Sequence, residues 1–171
     1  TSLEAFAHDP LINLVVACLI VLGGLGFVVL LDLQHLIKKP KDTVHRLTFH
    51  AKMVLMVSVM LILLGTVSLW GVEFVSQDRF SDTGFLLPAF FQSITARTAG
   101  FNTIPLGALS NGTCFILMIL MFVGAAPGSC GGGVKVTTLG ILFALFLSRL
   151  RREEETRLFH RTIPKETVGK A

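Results

Sequence analysis

The run Phe90–Asn102 reads FFQSITARTAGFN, and its change of character halfway along decides how the rest of the chain is read. The apolar residues from Leu86 to Ile94 are expected to form a short helix. The following segment, Thr95-Ala96-Arg97-Thr98-Ala99-Gly100-Phe101, is small-residue and poor in strong helix formers, and its Gly100 is free to take a positive φ. The expected form is a half-helix followed by an extended strand. Only about a dozen residues, from Gly84 to Thr95, precede the change, too few to cross a ~30 Å hydrocarbon core as a helix. In apolar surroundings such a segment dips in and returns.

The surroundings are apolar on both sides. Leu11–Leu31 has Asn13 as its only polar residue and is long enough for a first span. Within it, Gly23-Gly24-Leu25-Gly26 permits either close helix approach or a hinge. Asp32–Lys52 then carries Lys38, Lys39, Lys41, Arg46 and Lys52 against Asp32 and Asp42, with Pro40 stopping any helix before it, which marks residues 36–52 as a cytoplasmic loop. Met53–Val72 is the second span, closed by Trp70 at the far interface. Glu73, Asp78 and Asp82 follow against a single Arg79, as on an external side. Asp82 or Thr83 can cap the short helix, and Pro88 falls in its first turns, where a missing N–H does little harm. Beyond Phe101, the polar stretch Asn102–Gly112, with turn residues Pro105, Gly107 and Asn111-Gly112, leads back out.

Composition agrees with this organisation. The chain has 171 residues, 52% of them hydrophobic, with 14 Phe and no Tyr, and a mean hydropathy of +0.72. That is a multi-spanning membrane protein, not a soluble domain. The formal net charge of +4 sits in clusters beside the spans, so membrane topology accounts for it and nucleic acid is not implied. Cys18, Cys114 and Cys130 lack CxxC spacing and read as small buried thiols. The opening TSLEAFAHDP has no basic leader pattern, and the chain reads as an excised fragment.

The third span is anomalous. As one helix, Phe115–Phe146 would measure roughly 48 Å, well beyond the core. It is interrupted by Gly124-Ala-Ala-Pro127-Gly128-Ser129-Cys130-Gly131-Gly132-Gly133-Val134-Lys135, whose glycines and proline do not hold a regular helix and whose Lys135 faces lipid only at high cost. Irregular backbone at membrane depth survives where it is buried in protein or lines an aqueous path. The loop is therefore expected beside a pore, and Arg149, Arg151 and Arg152 place residues 151–171 in the cytoplasm as a charged linker. Set between these spans, residues 83–102 read as a re-entrant pore loop. Thr98-Ala99-Gly100-Phe101 has the residue classes of the Thr-Val-Gly-Tyr filter of potassium channels, in which backbone oxygens replace an ion's water.

Other readings fail on spacing. From Gly128, a phosphate-binding loop needs lysine where Val134 stands, and no α/β strand precedes it. A Gly128–Gly132 helix contact is spoiled by Pro127 and the triple glycine. Five histidines at 8, 35, 45, 50 and 160 form no HExxH, and no nucleophile elbow is present, so no enzyme is indicated.

Gln92–Asn102, together with Phe122-Val-Gly-Ala-Ala-Pro-Gly-Ser-Cys-Gly-Gly-Gly-Val-Lys135 and the following Val136-Thr137-Thr138, resembles the potassium-translocating subunit of the Trk/Ktr/HKT superfamily. Leu22-Gly-Gly-Leu-Gly-Phe27 with Leu30-Leu-Asp-Leu33 is similar to the closing span of the second repeat in that family, although Val28 stands where many relatives carry proline. The resemblance covers essentially the whole chain. It implies an all-α integral membrane protein of the plasma membrane, in bacteria the inner membrane, built from four tandem span–pore–span repeats. Residues 1–35 would close repeat two. Residues 53–150 would form repeat three, with spans 53–72 and 115–147 and pore loop 83–102, and residues 151–171 would lead to repeat four. It further implies potassium held at Thr98, Ala99 and Gly100, with Phe101 completing the filter. The gate would comprise Gly124, Pro127, Gly128, Ser129, Gly131, Gly132, Gly133 and Lys135. No cofactor is implied besides the transported potassium, sodium coupling being left open. The implied partners are membrane lipid, a second copy of the full-length chain, and a cytoplasmic nucleotide-binding subunit of the RCK type. Asn102 replaces a second filter glycine, which favours one well-formed site over a long multi-ion filter. A subunit of a four-chain cation channel and a non-conducting scaffold are the rival readings.

Overall fold

The structure, a computed structural model, describes residues 3–7, 9–38, 47–76, 85–150, 157–158 and 161–162. Helix α1, Pro10–Leu25, begins where Asp9 Oδ1 accepts from the amides of Leu11 and Ile12, with proline in the first turn. Asn13, the lone polar residue of this apolar run, is buried and donates Nδ2 to the carbonyls of Phe6, Ala7 and Asp9. It closes the turn that enters the helix.

The run expected as one span, Leu11–Leu31, is two helices. At Gly26, with φ 80°, the chain bends by 108° into α2, Phe27–Lys38. The bend requires no proline at position 28. Gly26 takes a conformation that costs side-chain-bearing residues free energy, and the backbone groups freed by the break find distant partners. Gly24 O accepts from Ala126 N at 3.0 Å, and Phe27 N donates to Gly128 O at 3.3 Å. Of the two uses open to these glycines, Gly26 is a hinge, and a Cβ on Gly24 would make only ordinary contact with Ala125.

Helix α3, Phe49–Ser76, starts at Thr48, whose hydroxyl accepts from Ala51 N while donating to Asp32 Oδ2 on α2. Its Phe49–Val75 stretch is, among the described residues, the one unbent helix long and apolar enough to cross a membrane. It exceeds the apolar run Met53–Val72 by a turn at each end, so Glu73 lies within the helix. Glu73 is fully buried. Its Oε2 accepts from Thr113 Oγ1 and from Ser110 N, at the start of α5, Asn111–Phe122. Ser110 is the N-cap there and accepts from Thr113 N, so Asn111-Gly112 is a helix start and not a turn. Gly112 permits the approach, since a Cβ there would lie 2.9 Å from Val72 Cγ1.

Between α3 and α5 lies the short helix α4, Leu86–Thr95. Phe85 occupies its N-cap position without a side-chain cap, and Asp82 and Thr83 lie outside the described residues. Pro88, Ala89, Phe91, Gln92, Ser93, Ile94 and Thr95 are all buried. Ser93 Oγ reaches across to Ile62 O on α3 at 3.0 Å, through a notch made by Gly65, where any Cβ would collide with that hydroxyl. The opposite side of α4 packs Phe91 and Ile94 on Ala17 of α1, with Phe101 against them. Each such ring or branched side chain contributes about 1.5–3 kcal/mol on burial.

After α5 an irregular segment leads to α6, Val136–Leu150. The described chain is otherwise helical except for two paired antiparallel strands, β1 (Arg157–Leu158) and β2 (Arg161–Thr162). Apolar stripes stay uncovered at helical spacing: Leu11, Leu14, Val15, Leu19 and Leu22 on α1, and Met56, Val59, Leu63 and Val67 on α3. Cys18 shares the first stripe and is exposed, as is Cys130, so these two are not the buried thiols expected.

Candidate functional site

The segment after Thr95 is not an extended strand. Ala96–Ala99 coil in successive turns because the end of α4 captures their amides: Arg97 N donates to Ile94 O, Thr98 N to Ala96 O, and Ala99 N and Gly100 N both to Thr95 O, at 3.1 and 3.4 Å. Phe101 N then donates to the Thr95 hydroxyl at 2.9 Å. Thr98 has φ 77° and Gly100 φ 78°, while Arg97, Ala99 and Phe101 keep negative φ. Alternation of sign turns successive peptide planes the same way, which a pleated strand does not do.

In a planar trans peptide the N–H of one residue points opposite to the C=O of the residue before it. With the amides of residues 99, 100 and 101 all directed at Thr95, the carbonyls of Thr98, Ala99 and Gly100 point away from the helix end. None of the three accepts a hydrogen bond among the described residues. Thr98 and Gly100 are exposed, whereas Thr95 is 2% exposed. The Thr98 hydroxyl donates to Arg97 O at 2.6 Å. A β-branched residue at positive φ is strained by of order 1–3 kcal/mol, a conformation that persists only where the surroundings over-determine it. Here the hydrogen bonds to Thr95 do so.

The interruption between α5 and α6 is a closed loop. Val123 and Val134 form a parallel bridge, with Gly124 N donating to Val134 O and Val134 N to Phe122 O, so its neck is pinned by backbone. Gly124 is glycine because a Cβ there would lie within bonding distance of Gly132 O. Gly128 and Gly133 hold φ 74° and 80°. Ser129 caps the turn on Ala126 O, and Lys135 Nζ donates to Gly131 O at 2.9 Å. Lys135 thereby anchors the end of the loop to one of the loop's own carbonyls.

The loop and the α4 turn meet. A Cβ on Gly131 would lie 2.5 Å from Thr98 Oγ1 and 2.6 Å from Ala125 Cβ. Thr98, Ala99, Arg97, Cys130 and Gly131 share a cavity of about 170 Å³ with Ile20, Gly23 and Gly24 of α1. Of the residues singled out by sequence, Thr98, Ala99 and Gly131 come together here, and Lys135 holds Gly131. Pro127 and Gly128 lie instead against the α1–α2 hinge, and Gly124, Gly132 and Gly133 build the neck. Arg97 lies among Val21, Leu25, Ser58 and Ala125, with its Nε buried and, among the described residues, unpartnered. Sequence reasoning missed Thr95. Gly26 it named only within a glycine cluster open to either a close helix approach or a hinge, without choosing between them.

The sequence matches the TrkH family, described as a cation transport protein, over residues 1–171. It is similar to the Ktr system potassium uptake protein B of Vibrio alginolyticus, 36% identical over 173 residues covering 99% of this chain and 37% of the relative. The protein of the same name from Bacillus subtilis is 30% identical over 173 residues, covering 99% of this chain and 38% of the relative. The potassium/sodium uptake protein NtpJ of Enterococcus hirae is 34% identical over 174 residues, with 99% and 37% covered. The chain thus spans little more than a third of the length of these relatives. With its apolar helices and a match over its full length, the chain belongs to the TrkH family of membrane cation transport proteins.

Proposed function

We propose that this chain is one span–pore–span unit, with the closing span before it, of a larger potassium uptake protein of the plasma membrane. In this reading residues 83–102 are the re-entrant pore loop and the carbonyls of Thr98, Ala99 and Gly100 replace part of a potassium ion's hydration shell. The observation that carries the reading is that these three consecutive carbonyls face one way and, among the described residues, meet no donor, in a turn whose Thr98 and Gly100 are exposed. Dehydrating a monovalent cation takes oxygens converging from several sides, so one loop supplies one sector of a ring and further repeats supply the rest. The length of the relatives leaves room for them. The loop Gly124–Lys135 acts as the gate, since Gly131 abuts Thr98 and the two line one cavity. The names of two relatives place them in a Ktr system, which supports a cytoplasmic regulatory partner of the RCK type, and a paired full-length chain completes the proposal. Potassium against sodium is the property to measure, since one relative is named for both ions.

The test is relative uptake of rubidium and sodium by the full-length protein in a potassium-uptake-deficient host, unmodified and as Gly100→Ser. Gly100 holds φ 78° with open space around it, so a Cβ there acts through backbone strain and not through collision. Gly100→Ser is expected to lower the preference for rubidium several-fold in protein that still reaches the membrane. Unchanged preference would refute the filter.

A further inference from the structure

We infer that the hydroxyl of Thr95 is the positioning group of the filter, and that it governs discrimination between potassium and sodium without touching the ion. The inference rests on the pore-loop reading above.

Thr95 is the last residue of α4 and is nearly fully buried. Its carbonyl accepts two amides and its side chain a third, from Ala99, Gly100 and Phe101 in turn. Two of these bonds run through backbone and any residue would make them. The third depends on the side chain. The amide it holds belongs to the Gly100–Phe101 peptide, whose opposite end is the Gly100 carbonyl, so the hydroxyl fixes the direction of the last of the three aligned oxygens.

Glycine makes this bond necessary. Gly100 moves between positive and negative φ at little cost, and no neighbour lies within 4 Å of where its Cβ would be. Packing therefore does not restrain it, and the Phe101 amide is its tether on the following side. Released, the peptide can rotate and withdraw its oxygen. A site short of one oxygen, or with oxygens free to move inward, loses its preference for the larger and more easily dehydrated ion. Ser or Thr at position 95 can serve as tether, and an isosteric apolar residue cannot.

The test uses the full-length protein in the same host, with membrane content measured for each variant. Thr95→Val keeps the shape of the side chain and removes the acceptor, while Thr95→Ser keeps the acceptor and removes a methyl group. One lost hydrogen bond corresponds to a fall on the order of five-fold in rubidium-over-sodium preference for Thr95→Val. Thr95→Ser is expected to retain the unmodified preference. Thr95→Ala takes the place of Thr95→Val if the latter does not accumulate. Equal losses in the serine and valine variants would overturn the inference, because the methyl group and not the hydroxyl would then matter. So would full preference in Thr95→Val while Gly100→Ser loses it, a result that leaves the filter standing. If neither Gly100→Ser nor Thr95→Val alters preference, the filter fails and this inference with it.

Discussion

Lys135 directs its ammonium at the carbonyl of Gly131, the residue that touches the Thr98 hydroxyl. A charged donor on a carbonyl at membrane depth is worth more than a neutral one, about 1.5–3 kcal/mol. Under the proposed gate, Lys135→Met in the full-length protein should therefore loosen Gly131 and raise rubidium flux on the order of tenfold, with the rubidium-to-sodium ratio unchanged because the hydrogen bonds to Thr95 are left in place. Flux through purified protein in liposomes checks it; unaltered flux from folded protein would count against an anchored gate. At this scale the sequence was legible where a residue announces its own geometry. Gly100 did so as the glycine of a small-residue run, and Lys135 as a charge beside a glycine cluster. Glu73 was not legible, because its use depends on a helix start far along the chain, at Ser110 and Thr113. An acid after an apolar run looks the same whether it ends a helix in water or caps another in the interior. Thr95 was equally silent, since its three partners converge only once Thr98 and Gly100 take positive φ.

Helices were legible where hydrophobic length or a helix breaker decides them. α4 and the interruption before α6 lie within a residue or two of where composition put them. The bend in α1–α2 was only half legible: the glycine cluster offered a hinge as one of two uses, but hydropathy is blind to direction and runs smoothly through Gly26. That position offers a sharp test. A Cβ on Gly26 would stand 2.6 Å from Pro127 O, in addition to the strain of φ 80°, whereas Gly23 has nothing within 4 Å. Gly26→Ala should cost about 2 kcal/mol or more, seen as a lowered melting temperature in detergent. Gly23→Ala, within the same helix, should be neutral or slightly stabilising. Equal effects at the two positions would show that the hinge is not under steric control.

For the molecule as a whole, the uncovered stripes on α1 and α3 are the largest feature that this chain alone leaves unexplained. Both run at helical spacing, and both consist of side chains that water does not favour. Lipid or, on the proposed reading, further repeats cover them. A charge at the middle of the α3 stripe, Leu63→Asp, should oppose insertion by about 2.5–3.5 kcal/mol and sharply reduce membrane-integrated protein in a glycosylation-mapping assay. Normal integration would mean that this stripe meets polar protein. The contact between the hinge and the loop has a different bearing. Gly24 and Phe27, at the end of one repeat by family resemblance, exchange backbone hydrogen bonds with Ala126 and Gly128 in the next. Each break holds the group that the other lacks, and in hydrocarbon an orphaned peptide group costs several kcal/mol. A boundary drawn between repeats in the sequence thus cuts through a shared seam. Dividing the chain along that boundary would leave a raw edge on both pieces, so a repeat of the kind the resemblance implies is not a unit that can be lifted out.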